Sequence, residues 1–221
     1  MKLIKYPDRS QWNEILKRPV LETENLFDTV RNIINRVRAG GDRVVMECEA
    51  VFDKAELTSL AVTSAEIEEA EKEVPIELKA AIYLAKRNIE TFHSAQRFEG
   101  KKVDTMEGVT CWQKAVAIEK VGLYIPGGTA PLFSTVLMLA IPAKIAGCKE
   151  IVLCTPPDKN GKVHPAILFA ARLAGVSKIF KVGGVQAIAA MAYGTESIPK
   201  VYKIFGPGNQ YVTAAKQLVS L

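Results

Sequence analysis

Four short apolar segments in the second half of the chain each run into a turn and then into a helical segment. The sequence predicts strands over these segments, at residues 116–125, 150–154, 178–182 and 201–205. Strands that alternate with helices over short links are typical of a parallel sheet, because a parallel neighbour is reached only through a crossover connection. The pattern therefore predicts an α/β domain over residues 111–221.

The first half of the chain, residues 1–110, has a helical rhythm instead. Its apolar residues recur at intervals of three and four, and capping residues and helix breakers separate the periodic stretches. The predicted helices are one between the N-cap Thr23 and a stop at Gly40-Gly41, one from Ser64 to a break at Pro75, and one over residues 77–92. We therefore expect a mostly helical region ahead of the sheet.

Glycine follows three of the four predicted strands, in Gly127-Gly128, Gly183-Gly184 and Gly206-Pro207-Gly208. The carboxyl ends of parallel strands are where such sheets bind ligands, and glycine there allows the backbone to approach a ligand closely. The plainer alternative is that a turn from strand to helix needs glycine in any case. Three such turns on one edge favour a nucleotide or phosphate site, although neither GxGxxG nor GxxxxGK[ST] occurs.

Charge is unevenly distributed along the chain. Residues 1–110 contain 17 Lys or Arg and 20 Asp or Glu, whereas residues 111–221 contain 12 and 4, which gives net charges of −3 and +8. A basic half suits an anionic ligand, but scattered lysines also fit an ordinary solvated surface. There is no basic block interleaved with aromatic residues, so no nucleic-acid partner is expected.

Membrane and export signals are absent from the sequence. No apolar run is long enough to span a bilayer, and the first residues do not resemble a signal peptide. The four cysteines, Cys48, Cys111, Cys148 and Cys154, form no CxxC pair. We therefore expect a cytoplasmic protein without a membrane partner, with reduced thiols.

Three blocks of sequence are far more specific than this general pattern. Residues 121–132 (VGLYIPGGTAPL), 182–190 (VGGVQAIAA) and 205–209 (FGPGN) closely resemble the histidinol dehydrogenases, in the order and at the spacing of that family. Residues 37–42 and 88–93 resemble it less distinctively. The resemblance covers nearly the whole chain.

The resemblance implies a fold and an activity. Histidinol dehydrogenases oxidise L-histidinol to L-histidine through histidinal, the last step of histidine biosynthesis, with two molecules of NAD and one zinc ion per site. They are homodimers. Their fold is similar to that of aldehyde dehydrogenases, with an incomplete Rossmann-type parallel sheet that carries helices on both faces. The resemblance thus implies that residues 111–221 form the NAD-binding domain.

The resemblance also implies three cofactor-binding residues: Tyr124, Gln186 and Asn209 occupy the positions of the family's NAD contacts. Each has a plainer alternative. Tyr124 could be a packing residue at the end of a strand, and Gln186 an exposed residue in the first turn of a helix. Asn209 could be only an N-cap, because its side-chain oxygen suits the free amides of a helix start.

The family's zinc ligands and its Glu-His general base lie downstream of the GPGN block, and the chain stops at Leu221. The two histidines present, His93 and His164, have no ligand partners at useful spacing, so no metal-binding or catalytic residue is assigned. Cys148 and Cys154 lie in apolar runs and are read as buried residues. We therefore expect that the chain is the amino-terminal part of such an enzyme and that it is inactive alone. One alternative is a non-catalytic nucleotide-binding or interaction module derived from this fold. The other is a related aldehyde-dehydrogenase-like reductase.

Overall fold

A computed structural model describes residues 3–17, 24–128, 130–176 and 178–220. Its helices, after a short 3-10 turn at Arg9–Gln11, are α1 Trp12–Ile15, α2 Glu24–Phe52, α3 Ser64–Glu73, α4 Ile76–Ser94, α5 Phe133–Ile145, α6 Pro165–Leu173, α7 Gly184–Tyr193 and α8 Gln210–Leu218. Its strands are β1 Lys102–Met106, β2 Val109–Trp112, β3 Lys120–Tyr124, β4 Glu150–Thr155, β5 Lys178–Lys181 and β6 Lys203–Phe205. Thr23, the predicted N-cap, lies outside the described residues.

The main sheet has four strands in the order β5-β4-β3-β6, all of them parallel. The first three strands are added in one direction, and β6 then pairs with the free side of β3, so that Leu123 lies opposite Phe205. The strand order therefore reverses between β3 and β6. This point is a topological switch, the place where open α/β sheets bind their ligands.

Helices cover both faces of this sheet, as the sequence predicts. Successive side chains of β3 point to opposite faces, so Tyr124 packs in one hydrophobic core while Leu123 and Ile125 pack in the other. Helices α7 and α8 contribute to the first core and α5 and α6 to the second. The predicted parallel α/β architecture is confirmed.

The amino-terminal helices pack directly on the helices that cover the sheet. Val45 of α2 lies in the core that contains α7, and Ile82 of α4 lies in the core that contains α5. Both cores therefore combine residues from either side of residue 110. The division into domains at that residue stays a prediction. None of the described helices has the length and apolar composition that crossing a membrane requires.

A β-hairpin at residues 102–112 was not expected from the sequence. Strands β1 and β2 pair antiparallel around Gly108, whose φ of 78° suits glycine, and every residue of both strands is exposed. Because neither face of the hairpin is buried, its sequence shows no apolar alternation that would predict strands. The first strand of the main sheet is also shorter than predicted: it begins at Lys120 instead of residue 116.

The predicted stop at Gly40-Gly41 is a break within α2, because the helix resumes directly after it. Gly41 has a φ of 53° and a ψ of −141°, a conformation that L side chains rarely adopt. The Glu196 carboxylate accepts a hydrogen bond from the Asp42 amide at 2.7 Å, and the Ser197 hydroxyl bonds the Asp42 carboxylate. A distant loop thus caps the second half of α2, the half that reaches the functional site.

We expect Glu196→Ala to lower the free energy of unfolding by about 1 kcal/mol, because it removes a charge-assisted hydrogen bond at a helix start. Urea denaturation monitored by circular dichroism measures the effect. Glu196→Gln is the matched control, since its amide oxygen still accepts from Asp42 and should preserve most of the stability. Equal unfolding midpoints for the wild type and the alanine variant would show that this capping contact contributes nothing.

Candidate functional site

A cleft of about 1330 Å³ lies at the carboxyl end of the sheet, beside the switch point. The turns after β3 and β4 form part of its wall, and the amino-terminal ends of α7 and α8 form another part. Asp53, just after the end of α2, also lines it, so the cleft combines residues from both halves of the chain. The positive dipole ends of two helices make its wall suited to an anionic group.

Glycine at position 206 is required by the protein itself. Gly206 has a φ of 137°, and a Cβ placed there would lie 2.1 Å from the backbone oxygen of Tyr124. The turn after β6 therefore packs directly on the end of β3, and the Lys216 ammonium of α8 bonds the Gly206 carbonyl at 3.0 Å. In this structure the backbone of Gly206 lies close to the backbone of Tyr124 in β3, and this contact positions the edge of the cleft.

Tyr124 ends β3 and is only 4% exposed. Its ring packs in the core beneath α7, and its hydroxyl accepts a hydrogen bond from the Gly184 amide at 3.0 Å. Burial raises the pKa of Tyr124 to about 12, so the hydroxyl stays protonated at neutral pH. Tyr124 therefore ties the end of β3 to the start of α7 while lining the cleft.

Gln186 lies in the first turn of α7, and the alternative of an exposed helix residue is wrong because it is 1% exposed. Its Nε2 donates a hydrogen bond to Oε1 of Glu49 at 2.7 Å. Burial of an amide is costly unless its polar atoms are bonded, and Glu49 meets that requirement. Gln186 also lines the cleft, so its amide lies between the cleft and α2.

Asn209 is the N-cap of α8, as its plainer alternative predicted: Oδ1 accepts a hydrogen bond from the Val212 amide at 3.1 Å. Unlike the other two predicted residues, it is exposed. The structure brings Tyr124, Gln186 and Asn209 to the wall of a single cleft, although 62 positions separate the first two along the sequence. A role for each in NAD binding remains a prediction.

Sequence reasoning missed Glu49, which is fully buried in α2. Its Oε1 accepts hydrogen bonds from the Gly183 amide at 3.0 Å and from Gln186. Burial, with the nearby Asp53 carboxyl as a further cause, raises the pKa of Glu49 from 4.5 to about 7. A signal was present: Glu49 lies four residues after Val45, so a charged residue occupies the apolar stripe of an amphipathic helix.

The histidines and the buried cysteines have structural environments. His93 bonds Gln96 at 2.8 Å, and His164 caps α6 by accepting from the Ala166 amide at 3.2 Å. Cys148 and Cys154 are buried, and burial raises the pKa of both thiols, which disfavours the nucleophilic thiolate. Within the described ranges, no three His, Cys, Asp or Glu side chains are grouped to hold a metal ion.

A parallel sheet in the order β5-β4-β3-β6, with helices on both faces and a cleft at its switch point, defines an α/β protein of the incomplete Rossmann type. Comparison with known proteins then identifies the family. The family model described as histidinol dehydrogenase matches residues 16–221, and the chain belongs to the histidinol dehydrogenase family.

Individual relatives agree with this assignment. The chain is 99% identical over 221 residues to a histidinol dehydrogenase of Bacteroides fragilis, covering 100% of this chain and 52% of that protein. It is 52% identical over 211 residues to that of Escherichia coli K12, covering 95% and 48%. A crystal structure of histidinol dehydrogenase from Elizabethkingia anophelis superposes with a TM-score of 0.92 at 51% identity, covering 97% and 49%. The chain thus spans about half the length of these relatives.

The raised pKa of Glu49 predicts that stability falls as the pH rises from about 4.5 to about 7, because the native state there holds a proton that the unfolded state has released. Glu49→Gln keeps the hydrogen-bonding oxygen and cannot ionise. We expect its free energy of unfolding to gain up to about 3 kcal/mol relative to the wild type across this range. Urea titrations at several pH values measure this difference. A constant difference would show that Glu49 ionises normally.

Proposed function

We propose that this chain is the NAD-binding half of an enzyme that oxidises L-histidinol to L-histidine through histidinal. The observation that carries the proposal is the convergence of Tyr124, Gln186 and Asn209 on one switch-point cleft, in a chain of the histidinol dehydrogenase family. Conversion of a primary alcohol to a carboxylate removes two hydrides and consumes one water. Two molecules of NAD accept the hydrides, and three protons are released.

The residues of the cleft fit a dinucleotide. The amino-terminal ends of α7 and α8 line the cleft, and the positive ends of their dipoles suit a pyrophosphate. Asn209 offers an exposed amide beside one of these helix starts. NAD bound here would supply the hydride acceptor, and the role of these residues would be to bind and orient it.

Zinc is a different case, because the described residues do not supply a fitting donor set. His93 and His164 are each engaged in local hydrogen bonds, and no three potential ligands are grouped within the described ranges. Metal sites require several converging ligands. We therefore derive no step through zinc, and we propose that the family's metal is held by residues outside those described. A homodimeric assembly and a cytoplasmic location are proposals of the same kind, drawn from the family alone.

We expect Asn209→Ala to weaken NAD binding several-fold, since loss of one hydrogen bond costs on the order of 1 kcal/mol. Isothermal titration of NAD into the purified chain measures the dissociation constant. Because alanine also removes the cap of α8, the matched control is Asn209→Ser, which keeps a capping oxygen but lacks the amide.

Equal weakening in the alanine and serine variants would assign the effect to the Asn209 amide. Recovery of wild-type affinity by serine would assign it to the cap. Unchanged affinity in Asn209→Ala, together with unchanged affinity in Tyr124→Phe, would place the cofactor elsewhere.

We expect the purified chain alone to produce no NADH from histidinol and to contain no stoichiometric zinc. The reason is the absence of a grouped ligand set in the described part of the chain. Absorbance at the NADH band with and without added zinc, and metal analysis of the purified chain, measure both properties. Zinc-dependent NADH formation by material free of any longer histidinol dehydrogenase would refute this expectation.

A further inference from the structure

We propose that Glu49, paired with Asp53, is a positioning residue for the NAD cleft: it fixes the orientation of the Gln186 amide and of the Gly183–Gly184 turn. The proposal rests on the proposed function, in which this cleft binds NAD. Glu49 lies in α2, far along the chain from the glycine-rich blocks. It bonds Gly183 and Gln186 on the side of these residues that faces α2. It would thus act through Gln186, without contacting the cofactor.

A single oxygen of Glu49 accepts two hydrogen bonds from the start of α7. Oε1 lies 3.0 Å from the Gly183 amide nitrogen and 2.7 Å from Nε2 of Gln186. Glu49 and Gln186 are buried, so water cannot replace either contact. Loss of the carboxyl would leave two buried donors without partners, and the first turn of α7 would lose its anchor on α2.

This arrangement decides which atom of Gln186 is available to a ligand. Because Oε1 of Glu49 is an acceptor, the NH₂ group of Gln186 must face it. The amide oxygen of Gln186 lies on the side of Gly184, 2.9 Å from where a Cβ of that glycine would stand. Gly184 lines the cleft. The amide oxygen is therefore the end of the Gln186 side chain left for a ligand in the cleft, and such an acceptor suits a hydroxyl donor such as a ribose hydroxyl of NAD.

The second oxygen of Glu49 explains the presence of Asp53. Oε2 is buried and has no hydrogen-bond partner among the described residues. The Asp53 carboxyl lies beside the same turn, since its Oδ2 is 3.1 Å from where a Cβ of Gly183 would stand. Burial raises the pKa of each carboxyl. One proton on Oε2 of Glu49, donated to Asp53, satisfies both carboxyls, because two adjacent carboxylates cannot both ionise without repulsion.

The surroundings of the pair make this proton sensitive to pH. Three other titratable groups among the described residues interact with the pair: Cys48 beside Glu49 on α2, Tyr124 on β3 and Cys154 on β4. All three are neutral near pH 7, because burial raises the pKa of each. The α7 side contributes the neutral Gln186. Loss of the shared proton places two negative charges behind the cleft. We therefore expect NAD affinity to fall as the pH rises through about 7, the pKa of Glu49.

The first test is a set of NAD titrations into the chain at about pH 5.5 and about pH 8.5, on either side of the Glu49 transition. The wild type should bind NAD roughly tenfold more weakly at the higher pH. Glu49→Gln can accept from Gly183 and Gln186 and donate to Asp53, but it cannot ionise. It should keep the low-pH affinity at both values. Glu49→Ala should bind weakly at both.

The matched control is Glu47→Ala, on the same helix two residues away. Glu47 is exposed and pairs with Arg36 and Arg43 on the surface, away from the cleft. This variant should keep the wild-type pH dependence. Equal NAD affinity and equal pH dependence in the wild type and all Glu49 variants would overturn the proposal. An identical loss of pH dependence in Glu47→Ala and Glu49→Gln would overturn it as well.

The second test needs no cofactor and so separates this proposal from the proposed function. In nuclear magnetic resonance titrations, the Gly183 amide and the Gln186 side-chain amide should shift together with a midpoint near 7 in the wild type. In Glu49→Gln, neither chemical shift should change with pH over this range. If the chain binds no NAD, the proposed function fails for the isolated chain, and these titrations still decide the positioning role. Independent or absent shifts in the wild type would overturn it.

Discussion

The contact between α2 and the start of α7 is the interaction on which the rest of the site depends. The Glu49 carboxyl accepts hydrogen bonds from the Gly183 amide and the Gln186 side chain in a fully buried position. A buried acid is costly unless its oxygens are bonded, and buried donors are costly in the same way. The Glu49 carboxyl and its two donors therefore stabilise each other, and these hydrogen bonds hold α2 against the start of α7.

The sheet topology places the cleft, and local hydrogen bonds shape it. Because β6 pairs with the free side of β3, the turns after these two strands meet at the switch point. Gly206 then packs on the backbone of Tyr124, and the Tyr124 hydroxyl bonds the start of α7. Three chain segments that are distant in sequence thus meet at one edge of the cleft.

The capped break in α2 connects stability to this site. The non-helical backbone of Gly41 kinks α2, and the half of the helix after the kink carries Glu49 and leads to Asp53, which lines the cleft. Glu196 and Ser197, from the loop that follows α7, hold this break through Asp42. The loop after α7 therefore stabilises α2, and α2 in turn bonds the start of α7.

Most of the secondary structure was predictable because local patterns determine it. The strand–helix alternation of residues 111–221 required a parallel sheet, and the breaks at Pro75 and Gly41 follow from backbone preferences. The hairpin at residues 102–112 was not predictable from periodicity, because neither of its faces is buried. Tyr124, Gln186 and Asn209 were predicted as cofactor contacts only through the resemblance to a family, since each residue alone has an ordinary structural explanation.

The sequence by itself determined the fold class, the glycine-rich strand ends and the family, because these depend on patterns that neighbouring residues carry. Only the tertiary structure decided that Gln186 is buried, that Gly206 packs on β3, and that Glu49 joins the cleft. The physical reason is distance along the chain. Glu49 and Gln186 are 137 positions apart, and no local pattern encodes a hydrogen bond that forms only when two helices pack together.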